Sequence, residues 1–87
     1  MKAKATTVTD VRVHLFAAVS DEDDGCIIRN MDGTKVVYLG GNGVTSAQGY
    51  PLAAGEEKSL PGDVWAVCSN GETAQVRVLG TPDSAVL

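Results

Sequence analysis

This chain is a series of short apolar runs, several of them alternating at every second position, and each stops within a few residues at a glycine, proline, asparagine or aspartate. In residues 73–79, Ala74, Val76 and Val78 alternate with Gln75 and Arg77. Residues 63–69 set Val64, Ala66 and Cys68 on one face and Trp65 and Val67 on the other. Val11, Val13 and Leu15 alternate with Arg12, His14 and Phe16, which places Phe16 on the outer side. Shorter runs at 26–30, 35–39 and 58–60 read as strands too, and Pro61-Gly62 stops the last of them. Asp32-Gly33 and Asn70-Gly71 are hairpin-type turn signals. No window of about eleven residues carries a helical period. The expected class is all-β: a small β-sandwich or jelly-roll-like barrel of short antiparallel strands.

At 87 residues the chain is expected to form one β-sandwich domain over 1–87, with an ordered N-terminal arm at 1–7 and a C-terminal tail at 80–87. A domain of this size buries a modest fraction of its surface and gains from partners. Its 44% hydrophobic content supplies a core. Seven Lys and Arg are scattered against eleven Asp and Glu, for a net charge of −4. That balance argues against a nucleic-acid groove, which needs clustered basic residues. The N-terminus has two lysines with no apolar run behind them, so neither a signal peptide nor a membrane span is expected, and the chain is expected in a cytoplasm. In that reducing setting Cys26 and Cys68 read as buried free thiols. No CxxC or second ligand cluster supports zinc, and no cofactor is expected.

Residues 37–56, VYLGGNGVTSAQGYPLAAGE, form a long connection with no obvious chemistry. The glycines at 40, 41 and 43 permit positive φ and a sharp exit from a strand. Val44 and Thr45 return to extended geometry, and Pro51 holds Tyr50 extended. Tyr50 and Leu52 can then lie across a core edge as a clasp. The stretch reads as a crossover between opposite sheets of a Greek-key or jelly-roll sandwich. Gly41-x-Gly43 superficially resembles a dinucleotide fingerprint but lacks the third glycine, the helix and the basic residue. Two strands, 35–39 and 63–69, are apolar on both sides. Their second face lies either beneath the long connection or against another chain.

Other residues carry weak chemistry. Asp21, Glu22, Asp23 and Asp24 are consecutive acids, which suits a solvated loop better than the alternate spacing of a calcium loop. His14 has no nucleophile or orienting partner in sequence and reads as an outer-face residue. Trp65 is a core or interface residue, or a stacking platform for a sugar.

Ile28-Arg29-Asn30, Val37-Tyr38-Leu39-Gly40-Gly41, Gly43-Val44-Thr45, Gly49-Tyr50-Pro51-Leu52 and Ala54-Gly55-Glu56 occur in one order, followed by Trp65-Ala66-Val67 and Ala74-x-Val76-Arg77-Val78-Leu79. This pattern resembles small structural proteins of tailed bacteriophages, of the capsid-decoration and head- or tail-fibre type. The resemblance runs over 28–56 and more loosely to 79. It implies a β-sandwich without a catalytic site, placed on a virion capsid surface and assembled in the host cytoplasm. Its implied partners are the major capsid protein and copies of itself; a trimer fits the local symmetry of icosahedral shells. The alternative from the same resemblance is a receptor- or glycan-binding module of a fibre. Contacts are expected from exposed edges and apolar side chains. The candidate interface residues are Met1, Lys2, Ala3 and Thr6 of the arm, Tyr50, Trp65, and Val86 and Leu87 of the tail.

Overall fold

The computed structural model describes residues 1–18 and 24–87. Eight strands follow one another: β1 Lys2–Val8, β2 Val13–Phe16, β3 Gly25–Asn30, β4 Val37–Gly40, β5 Tyr50–Leu52, β6 Glu57–Pro61, β7 Val64–Val67 and β8 Ala74–Thr81, with a 3₁₀ turn at Asp83–Ala85. They form two four-stranded antiparallel sheets, in the orders β1-β8-β3-β6 and β2-β7-β4-β5. The pairs β1·β8, β2·β7, β3·β6 and β4·β5 are what results when one long antiparallel ribbon, folded back at its middle, is wound around a core. That is jelly-roll topology, built here as an open sandwich rather than a closed barrel.

Between the sheets lie Val8, Leu15, Phe16, Ile28, Val37, Leu39, Leu52, Val64, Ala66, Val76 and Val78, all nearly or fully buried. The alternation read at 73–79 is realised residue for residue: β8 buries Ala74, Val76 and Val78 and exposes Gln75 and Arg77. Cys26 and Cys68 are buried free thiols. Burial pushes the Cys26 thiol up to about 11 and raises that of Cys68 too, so both stay protonated at neutral pH. Native protein should therefore resist iodoacetamide, with both cysteines labelled only after denaturation; mass spectrometry of intact protein reads this directly.

Several expectations need correction. Asp32-Gly33 and Asn70-Gly71 do not close hairpins, because β3 and β4, like β7 and β8, lie in different sheets. They are corners. At the first, the Asp32 carboxylate accepts the backbone N–H groups of Thr34 at 2.9 Å and Lys35 at 2.8 Å. These bonds hold its carboxyl below the usual range, so their contribution is present above that range and is lost as pH falls through the depressed value. The long connection is likewise not one crossover. Residues 41–49 join β4 to β5 within one sheet, and only the turn at 53–56 crosses over.

Phe16 is a core residue, not an outer one. A bulge between His14 and Phe16 breaks the alternation, so consecutive Leu15 and Phe16 both turn inward. Val11, expected inside, is 71% exposed and precedes the strand. The N-terminal arm is β1, paired along its length with β8. The tail after β8 is also tied down. Ala17 N–H donates to Ala85, Leu87 N–H donates to Leu15, and Phe16 bridges to Val86. The acids Asp21, Glu22 and Asp23 lie outside the described residues, and Asp24 is buried.

Candidate functional site: two faces of the sandwich

The motif residues of the long connection turn out to build the fold. Asn30 is fully buried, and its amide donates to the carbonyls of Lys35 at 2.8 Å and Leu52 at 2.9 Å, while its side-chain oxygen accepts Asp32 N–H at 2.9 Å. Its backbone pairs with Gly55 and Glu56. Glu56 in turn accepts Ala53 N–H at 2.8 Å through its carboxylate. The Asn of "IRN", the Leu of "YPL" and the "GE" thus form one hydrogen-bonded corner. Periodicity did not single out Asn30; the signal in sequence was an uncharged polar residue at the inward-facing end of the strand, after exposed Arg29.

On the β2-β7-β4-β5 sheet, the outer face lies beneath the long connection. Val44, buried, folds back onto it: a Cβ on Gly40 would meet the Val44 methyl at 2.9 Å, and one on Gly49 would meet Tyr38 Cβ at 2.6 Å. The glycines at 40 and 49 are needed for close approach, and neither has positive φ. Val44 is therefore the anchor of this loop, a role the sequence reading gave to Tyr50 and Leu52. Those two do clasp an edge: Leu52 is in the core, and half-exposed Tyr50 on β5 lies beneath Lys58 Nζ of β6, 5.1 Å from its ring centroid.

Trp65 is half-buried on this outer face and stacks on His14, its register partner, with centroids 4.3 Å apart and planes 8° apart. His14 Nε2 stands 4.0 Å from an Asp63 oxygen and makes no hydrogen bond. Beside Trp65 the loop 41–49, the β1–β2 turn and the β7–β8 turn enclose a cleft of about 610 Å³. The β7–β8 turn is pinned by Asp10, whose carboxylate accepts Gly71 N–H at 2.9 Å.

The opposite outer face, on β1-β8-β3-β6, is open. Ala3, Leu79, Ile27 and Ser59 are register neighbours and form one row across all four strands. Ile27 is 36% and Leu79 38% exposed, and with Met1 they line a shallow groove of about 250 Å³. The adjacent row is Ala5, Arg77, Arg29 and Glu57. Arg29 pairs with Glu57 at 3.3 Å, whereas Arg77 faces Arg29 directly.

The expected interface residues divide accordingly. Met1 and Ala3 join the open face; the Met1 ammonium is also held by Asp83 at 2.8 Å. Thr6 is half-buried with its hydroxyl unpartnered. Lys2 and Lys4 lie on the core-facing side of β1 yet are exposed, a charged guard that disfavours strand addition at this edge. Leu87 is 42% exposed, but Val86 is 3% exposed inside its own sandwich and leaves the interface set. Pairing of the tail with β2 turned it inward. Ile27, Leu79 and Arg77 were not among the expected residues, because their importance lies in the register that aligns them.

Among the described residues no group of three His, Cys, Asp or Glu side chains is placed to hold a metal ion, and no helix is long and apolar enough to cross a membrane. Comparison with protein-family models, with curated proteins and with solved structures returns no match.

Proposed function

We propose that this protein is a non-enzymatic structural component of a virion, a decoration or cement protein that docks on an assembled capsid through the open face of the β1-β8-β3-β6 sheet. The observation that carries this reading is the row Ala3, Leu79, Ile27 with Met1 beside it, flanked by Arg77 opposite Arg29. Like charges directly across a sheet destabilise it. A carboxylate brought by a partner offsets that cost, and apolar side chains of the partner cover Ile27 and Leu79. Arg29 already holds Glu57 at 3.3 Å, so Arg77 is the cation on this face that a carboxylate of an acidic partner surface would meet. The resemblance of residues 28–56 to phage structural proteins supports the shell as that surface, and jelly-roll sandwiches are common in capsid components. Binding only to the assembled shell would stabilise it by mass action.

The test is cosedimentation with purified shells of the source particle, together with the copy number per particle. Ile27→Glu and Leu79→Glu, both on an exposed face, are expected to leave the thermal melt nearly unchanged and to abolish cosedimentation. Arg77→Glu should weaken binding at least tenfold at low salt. Wild-type protein that fails to sediment with shells, or a Leu79→Glu variant that binds normally, sinks the proposal.

The alternative, a receptor- or glycan-binding module, is favoured by a separate observation: the cleft beside Trp65 on the other sheet.

A further inference from the structure

We infer that the cleft beside Trp65 is a binding site for a neutral saccharide. Three chain segments far apart in sequence build it, contributing Asp10 and Arg12, Asn42 and Ser46, and Trp65 and Asn70. Its volume of about 610 Å³ falls in the range of small-ligand pockets, roughly 300–1,000 Å³. The walls are fixed before any ligand arrives. Trp65 is held by the His14 stack, the long loop by Val44 in the sheet face, and the β7–β8 turn by Asp10. Arg12 leans on the Val44 carbonyl at 3.5 Å, leaving most of its donors unused.

The lining is rich in unspent hydrogen-bonding groups. The side chains of Asn42, Ser46 and Asn70 and the Trp65 indole N–H make no hydrogen bond among the described residues. One Asp10 oxygen is engaged by Gly71 and the other is not. Amides, a hydroxyl, a carboxylate and a guanidinium around an indole can both donate to and accept from adjacent hydroxyls of a sugar ring, while the apolar body of the Trp meets its C–H groups. The charges decide the class. Asp10 and Arg12 cancel, and the Asp10 carboxylate would repel a phosphate or carboxylate, so an uncharged polyhydroxyl ligand fits better than an anion.

That this cleft points away from the shell rests on the docking proposed above, since it lies on the opposite sheet; saccharide binding itself does not. The two are therefore tested apart, and this one uses the isolated chain. Amide and indole N–H resonances are followed by NMR during titration with glucose, galactose, mannose and N-acetylglucosamine, and with sodium acetate and phosphate as anionic controls. Saturable shifts from at least one sugar, confined to Asn42, Ser46, Asn70 and the Trp65 indole, are expected. Asn42→Ala and Ser46→Ala, on an exposed loop, should each weaken binding about threefold to tenfold, the loss of one hydrogen bond. Trp65→Phe keeps a ring against His14 and should weaken it further by removing the N–H. No saturable shift from any of the sugars, shifts elsewhere on the protein, a stronger response to acetate or phosphate, or variants that bind as wild type would each overturn the assignment.

Discussion

Asn30→Ala is expected to destabilise the protein by about 3 kcal/mol, from loss of its hydrogen bonds and the stranding of their partners. The amide of Asn30 serves the Lys35 and Leu52 carbonyls, and its oxygen serves Asp32 N–H. Alanine removes all of these, and the fully buried site excludes easy replacement by water. For a domain of this size each kcal/mol shifts the melting temperature by roughly 4–8 °C, so a fall of about 12–24 °C is expected in a calorimetric melt. Asn30→Asp should be at least as damaging. It keeps an acceptor for Asp32 N–H but turns a buried carboxylate toward two carbonyl oxygens. A loss below about 1 kcal/mol in Asn30→Ala would show that the corner holds without its side chain. Because Asn30 joins the β3–β4 corner to the β5–β6 turn, the damage should reach both, and amide exchange should rise at Gly55 and Lys35 together.

Phe16→Ala is expected to cost about 3–5 kcal/mol, the range for emptying a large buried aromatic site. Phe16 is fully buried, and its ring sits against Gly80 of β8: a Cβ there would lie 2.7 Å from Phe16 Cε1 and 3.0 Å from a Val86 methyl. Ring, glycine and tail valine therefore fit as one unit. Two further results follow. Gly80→Ala should destabilise despite adding one methyl group, since nothing in that space can yield cheaply. Removal of residues 85–87 should also destabilise wild-type protein, because it uncovers Phe16 and frees the β2 edge. In a Phe16→Ala background the same truncation should cost much less, and urea unfolding of the four proteins measures that coupling. Additive losses would mean the tail is held independently of the ring.

Some of this architecture was plain in the residues. Ala74, Val76 and Val78 had to face a core, and Arg77 had to face out, because a strand turns successive side chains to opposite sides. The outer-face position of His14 followed from the same alternation, whereas the burial of Cys26 and Cys68 was read from residue type and an expected reducing compartment. Of the cleft, only Trp65 could be named. Asn42, Ser46 and Asn70 look like ordinary loop residues until the turns that carry them are brought together.

The sequence by itself determined an all-β chain, the approximate positions of six of the eight strands and most of their inward-facing side chains, because alternation and turn chemistry are local; β1 read only as an arm and β5 only as part of the long connection. Only the tertiary structure decided which strand each would meet. Asn70-Gly71 marks a turn equally well at a hairpin and at a corner between sheets, and the winding of the ribbon chose the corner. It likewise turned Phe16 inward through a bulge, tucked Val86 beneath the first sheet, laid Val44 over the second, and aligned Ala3, Leu79 and Ile27 in one row. Each of these depends on pairings between residues distant along the chain, whose energies are fixed by register and packing rather than by any neighbour in sequence.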